Sequence, residues 1–167
     1  MPDNIEIQVY EVLTPKIDYS KSVDELVAYF DEELEKINRG ERKADLELMM
    51  LGYAIDFLVI VKRAADIVLD FEEAAMPVYE AVLEALHRNY AGSPPTSEQF
   101  SDTLKKAAGF MCVVILKNIG GDLINTNLGL GVNISGTNAF VMNRVGRCLQ
   151  NGSEDDVISF YEALKNL

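Results

Sequence analysis

Within residues 105–135 the hydrophobic period of the sequence changes from that of a helix to that of a strand, and this change limits the folds that the chain can adopt. Apolar residues in the first half of this stretch recur every three or four positions, which predicts one face of a helix. From 128 to 134 apolar residues alternate with glycine and asparagine, which predicts a half-buried strand. Because a lone strand leaves its backbone hydrogen bonds unmade, we expect partner strands at 5–9 and 122–125.

Helical patterns occupy most of the remaining chain. Ser22 and Glu25 form a capping-box pattern that opens one helix, and Thr96 and Gln99 form another. Residues 41–70 predict a single long helix whose middle is apolar on nearly every side. Such a helix is buried all round, so we expect it at the centre of the domain or in a homodimer interface. The predicted fold is α+β and mainly helical, with five or six helices packed on a small antiparallel sheet.

The length of the chain, 167 residues with 49% hydrophobic content, predicts a single globular domain over residues 1–167. The loop at 91–95 is the candidate for a subdomain seam. Cys112 and Cys148 stand among apolar neighbours, which is typical of buried thiols rather than of a disulfide framework. No secretory-signal pattern begins the sequence, and the apolar run at 48–61 is too short for a bilayer span of about 20 residues. We therefore expect a cytoplasmic location.

The net charge of −12 lies almost entirely in the first part of the chain. Residues 1–92 carry 20 acidic and 9 basic side chains, whereas residues 93–167 carry 7 acidic and 6 basic side chains. A surface of this kind repels phosphate backbones and anionic membranes, so we expect neither nucleic-acid binding nor membrane binding. It attracts basic proteins or metal cations. The alternative interpretation is an acidic surface that only keeps the protein soluble.

An acidic run on the first predicted helix is the candidate partner-binding site, and it comprises Asp31, Glu32, Glu33 and Glu35. It mostly faces away from the apolar stripe of that helix. We therefore expect a protein that binds another macromolecule, as an inhibitor, an immunity-type protein or an adaptor, without catalysis and without a cofactor.

The alternative function is a metal-dependent hydrolase of a phosphorylated small molecule. Clustered carboxylates on a continuous helix could hold a divalent metal such as Mg²⁺. The candidate ligands are Asp66, Asp70, Glu73, Glu84 and His87. The spacing of Glu84 and His87 occurs in di-iron helical bundles, which need two such pairs. His87 is the only histidine of the chain, so a complete di-iron site is excluded.

A glycine-rich segment between the predicted strand and a following helix is an alternative anion site. Its candidate residues are Gly136, Thr137 and Asn138, whose backbone amides would lie at the helix N-terminus. The lysine of a phosphate-binding loop is missing, since Thr137 stands in its place. A plain turn with a helix cap is the competing interpretation.

Asp56 is the single carboxylate inside the most apolar run. An unpaired buried carboxylate is costly, so we expect Asp56 to have a polar partner such as Arg63, Arg144 or a tyrosine hydroxyl.

Overall fold

The computed structural model describes residues 6–167, in which six α-helices pack against one four-stranded antiparallel sheet. The helices are α1 (Val23–Asn38), α2 (Leu46–Ala65), α3 (Met76–Gly92), α4 (Ser97–Asn118), α5 (Val141–Asn151) and α6 (Val157–Lys165). The strands are β1 (Val9–Leu13), β2 (Asp122–Thr126), β3 (Gly129–Ile134) and β4 (Thr137–Ala139). Short 3-10 turns occupy Glu73–Ala75 and Gly152–Asp155. The predicted α+β class is confirmed.

The sheet has the strand order β1-β2-β3-β4, with each strand antiparallel to the next. Leu130, Val132 and Ile134 are buried in β3, as their alternation predicts. The prediction of a strand at 5–9 is wrong in position, because β1 spans Val9–Leu13; Ile5 lies outside the described residues. The side chains of this edge strand are mostly exposed, so no buried face marked its register in the sequence.

The prediction that 48–61 would be the most buried helix is wrong, because one segment of α4 is buried at every residue whereas parts of 48–61 are exposed. Every residue of α4 from Ala107 to Leu116 is buried. In α2 one side packs on α4, while Met49 and Ile60 are 48% and 44% exposed. The helix α4 contacts α2, α5 and β3 and is therefore covered on several sides, whereas α2 keeps one side exposed.

Asp56 is exposed and has no hydrogen-bond or ion-pair partner among residues 6–167, so its predicted pairing is wrong. The buried carboxylate of α2 is Glu47, which is 5% exposed. Its oxygens accept hydrogen bonds from the Lys16 amide at 2.9 Å, the Ile17 amide at 3.3 Å and the Tyr19 hydroxyl at 2.7 Å. Glu47 thereby joins the segment before α1 to the first turn of α2.

The predicted continuous helix over 41–70 is also wrong, since α2 begins after its N-cap Asp45 and ends before Asp66. Asp66 adopts a left-handed conformation with φ of 54°, which stops the helix and turns the chain away. Both predicted capping boxes are confirmed, at Ser22 in α1 and at Thr96 in α4.

The predicted seam at 91–95 connects α3 to α4. The Tyr79 hydroxyl of α3 donates to the Ala107 carbonyl of α4 at 2.7 Å, and one buried cluster includes residues from both sides of the loop. The division of the chain into domains stays a prediction.

Candidate functional site

The acidic run on α1 separates into exposed and internally paired carboxylates. Asp31, Glu32 and Glu35 are exposed. Glu33 is half-buried, and its oxygens accept hydrogen bonds from Lys36 at 3.0 Å and Arg42 at 2.6 Å. The Lys36 hydrogen bond, followed by that of Arg42, lowers the pKa of Glu33. Glu33 therefore holds the end of α1 to the following loop, while the other three carboxylates face solvent.

An apolar groove of about 240 Å³ lies between α1 and α2, and we call it the α1–α2 groove. It is lined by Phe30, Leu34, Ile37, Ala44, Leu48, Met49, Gly52, Tyr53 and Asp56. Gly52 permits the close approach of the two helices, because a Cβ atom there would lie 2.9 Å from Cε2 of Phe30. Leu34 is 41% exposed, so part of the predicted buried stripe of α1 lines an open groove instead.

Carboxylates border the α1–α2 groove. Asp56 is part of its lining and has no described ion-pair partner. Asp31 precedes Leu34 by three positions, which places the two side chains on one face of α1. Glu35 contacts Arg39 at 3.8 Å, but both side chains are exposed, so that ion pair contributes little. The groove therefore joins an apolar wall to uncompensated negative charge.

A larger groove of about 570 Å³ lies between α2 and α3, with α4 at its base. Its lining is mainly aliphatic, including Ile60, Val78 and Val82, and the charged side chain in that lining is Lys106. This groove has the volume for an apolar ligand, and its lining among the described residues includes no carboxylate that would favour a basic one.

The candidate metal ligands are not brought together. Asp66 pairs with Lys62, and Asp70 accepts a hydrogen bond from the Glu72 amide at 3.0 Å. Glu73 accepts hydrogen bonds from the Tyr161 hydroxyl at 2.9 Å and from Lys165 at 2.6 Å. The helical face predicted for the first three carboxylates does not form, because α2 ends before Asp66. Residues 6–167 contain no group of three His, Cys, Asp or Glu side chains that could hold a metal ion.

His87 and Glu84 lie beside the turn after α5. Nδ1 of His87 is 2.9 Å from the Leu149 carbonyl, so in the tautomer that donates there it caps the last turn of α5. Oε2 of Glu84 is buried without a hydrogen-bond partner in the described part of the chain. Gly152 packs on both side chains, since a Cβ atom there would lie 2.9 Å from Cδ2 of His87. This contact packs the end of α5 against α3, so we interpret its role as structural.

The alternative anion site does not have the predicted helical geometry. Gly136 lies in the tight turn between β3 and β4, with φ of 83°. Thr137 and Asn138 belong to β4, and Oδ1 of Asn138 accepts a hydrogen bond from Asn133 at 2.8 Å. The helix begins later, at Val141, so the amides of these three residues are not at its N-terminus. The expectation of a helix cap at this turn is wrong because a short fourth strand intervenes.

The sequence matches no protein-family model, and comparison with curated proteins and with solved structures finds no significant match. The site therefore has to be judged by its own chemistry. Among the helices of residues 6–167, none combines the length and the apolar content needed to cross a lipid bilayer.

Sequence reasoning found the exposed carboxylates of α1 but missed the groove beside them. The available signal was an excess of apolar residues: α1 and α2 carry more of them than one shared core contact can cover. Leu34 and Met49 are among the apolar residues of these helices that stay exposed.

Proposed function

We propose that this protein acts by binding a basic protein in the cytoplasm, as an inhibitor or adaptor does, and that a basic amphipathic segment of the partner docks in the α1–α2 groove. One observation carries this proposal: the exposed carboxylate of Asp56, which has no partner among residues 6–167, stands inside an apolar groove whose sides expose Leu34 and Met49. An amphipathic helix that lays its apolar face into a groove is a common mode of recognition.

The charge of the chain favours a basic occupant over the other macromolecules. Two copies of this protein would each carry a net charge of −12, so mutual repulsion opposes a homodimer in this acidic groove. The same repulsion opposes a nucleic acid. A partner segment with lysine or arginine beside an apolar stripe would satisfy both the groove wall and its carboxylates.

A reducing compartment suits the two free thiols, Cys112 and Cys148, both of which are buried. This chemistry supports the cytoplasm as the proposed location.

The first experiment uses model amphipathic peptides that share one apolar stripe and differ in the residues beside it, which are lysine, glutamine or glutamate. Their binding to the isotope-labelled protein is followed by NMR. We expect the lysine peptide to bind most tightly and to shift the methyl signals of Leu34 and Met49. Equal binding of the three peptides, or shifts confined to other surfaces, would contradict the proposal.

The second experiment compares two charge-matched double variants. Asp31→Lys with Asp56→Lys reverses charge at the groove, and Glu98→Lys with Glu162→Lys makes the same change in net charge on exposed positions of α4 and α6. We expect the groove variant to reduce the association rate of the lysine peptide about tenfold more than the control at low salt. Equal reductions of the association rate in the two variants would show that net charge, and not charge at the groove, controls association, and would contradict the proposal.

The oligomeric state is the remaining check. Sedimentation of the free protein should show a monomer, because two copies with a net charge of −12 repel each other at this groove. If the free protein is a dimer and Leu34→Glu dissociates it, then a second copy of this chain, and not a basic partner, occupies the α1–α2 groove.

A further inference from the structure

A separate pocket of about 300 Å³ opens where β4, α5 and α6 meet, and we call it the arginine pocket. It is lined by Thr137, Asn138, Ala139, Phe140, Asn143, Arg144, Arg147, Phe160, Ala163, Leu164 and Leu167. Arg144 and Arg147 are three positions apart on α5, so they project from one face of that helix. The charged side chains in this lining are both cations, in a chain whose net charge is −12.

The two guanidinium groups share one carboxylate. Oδ1 of Asp155 is 3.6 Å from Arg144 and 3.3 Å from Arg147, whereas a charge-assisted hydrogen bond measures about 2.7–2.9 Å. The other oxygen of Asp155 accepts a hydrogen bond from Asn151 at 2.8 Å. One carboxylate thus compensates two cations at long range.

Packing holds the first of these cations in place. The Cζ atom of Arg144 lies over the Phe160 ring, 5.2 Å from its centroid, which is a cation–π arrangement. The side chain of Arg144 is 30% exposed and that of Arg147 is 49% exposed, so both remain accessible to a ligand.

Neutral donors converge on the same space. The amide oxygen of Asn138 already accepts from Asn133, and within the described part of the chain its NH₂ group has no acceptor, so it can donate to a ligand. Asn143 and Thr137 add an amide and a hydroxyl to the lining. Phe140, Phe160 and Leu164 form an apolar wall beside these polar groups.

We propose that the arginine pocket binds the phosphate group of a small phosphorylated ligand whose apolar or aromatic part rests on this wall. Guanidinium forks match the geometry of phosphate oxygens, and a phosphate group offers three terminal acceptor oxygens to the two arginines, whereas a carboxylate offers two. Thr137 and Asn138 of the sequence-derived anion site take part, but through their side chains and together with Arg144 and Arg147. This site is independent of the α1–α2 groove.

The test uses phenyl phosphate as the probe, with benzoate and potassium chloride at equal ionic strength as comparisons. Thermal unfolding and NMR titration of the arginine side-chain signals give the affinities. We expect saturable binding of phenyl phosphate, tighter than that of benzoate, and a rise in Tm beyond that of chloride. Arg147→Gln should weaken phenyl phosphate about tenfold or more, because it removes charged donors.

The matched control is Arg88→Gln, which neutralises an arginine of α3 that is 73% exposed. It should leave the affinity unchanged. Arg144→Lys keeps the positive charge but loses the two parallel N–H donors of the guanidinium group, so it should weaken the binding of phenyl phosphate. The Tm of this variant in potassium chloride checks that it is folded. Three results would each overturn the proposal: phenyl phosphate acting no differently from chloride, equal effects of Arg147→Gln and Arg88→Gln, or benzoate binding as tightly as phenyl phosphate.

Discussion

Gly109 of α4 lies so close to Tyr53 of α2 that a Cβ atom on the glycine would be 2.8 Å from the Cβ of the tyrosine. The same atom would be 3.0 Å from the Met50 carbonyl oxygen. The backbones of the two helices therefore approach directly at this point, and this approach sets the position of α2 and of the grooves on both of its sides.

Gly109→Ala should destabilise the protein by about 1–3 kcal/mol, because the backbone of α2 cannot move aside without disturbing the core. The measurement is urea unfolding followed by circular dichroism. Gly92→Ala is the control, since no atom lies within 4 Å of a Cβ built there. A stabilised Gly109→Ala variant would show that the contact between α2 and α4 is looser than described.

Glu47→Gln should cost about 1–3 kcal/mol, whereas Asp56→Asn should change stability by less than about 0.5 kcal/mol. Glu47 accepts hydrogen bonds from two backbone amides and the Tyr19 hydroxyl on its two oxygens, and glutamine replaces one of these oxygens by an NH₂ group that cannot accept. Asp56 has no partner to lose among the described residues. Equal effects of the two substitutions on the urea midpoint would contradict the structure.

The contribution of Glu73 to stability should decline in acid. The hydrogen bond from Lys165, and then that from Tyr161, lowers the pKa of Glu73 from its ordinary value of 4.5. The unfolded chain therefore binds more protons below pH 4.5, so this contribution is present above that pH and is lost as the pH falls through the folded-state pKa.

The measurement is the urea midpoint of the wild type and of Glu73→Gln from pH 7 to pH 3. The difference in urea midpoint between the wild type and Glu73→Gln should shrink below pH 4.5. The difference between the wild type and Lys165→Met should shrink in the same way, since Lys165 is the larger cause of the lowered pKa of Glu73. A difference that stays constant over this range would refute the linkage.

Both thiols should be inert in the folded protein. Burial raises the pKa of Cys112 to about 12, and burial is also the main cause that raises the pKa of Cys148 to about 11. The reactive thiolate is therefore scarce at neutral pH, and reagents have little access. A chromogenic disulfide reagent should label neither cysteine in buffer and both in concentrated denaturant. Rapid labelling of the native protein would show that this part of the core opens.

The local elements could be predicted from sequence because their signals are local. The capping boxes at Ser22 and Thr96 require residues only three positions apart, and β3 carries an alternation that one buried face enforces. The exposed carboxylates of α1 could also be predicted, because they form a nearly continuous acidic run in the sequence. These features depend on neighbours in the chain.

Tertiary packing decided which apolar surface is covered. By composition, residues 48–61 were the expected centre, yet α4 occupies it, because Gly109 and its neighbouring alanines allow other elements to approach closely. The left-handed turn at Asp66 separates the predicted metal ligands, and the short strand β4 keeps the predicted anion residues away from the helix N-terminus. The α1–α2 groove and the arginine pocket each join residues from separate elements, so no periodicity along the chain marks them. The sequence by itself determined the capped helices, the central strand and the net acidity; the contacts between elements decided where an apolar wall meets charged side chains.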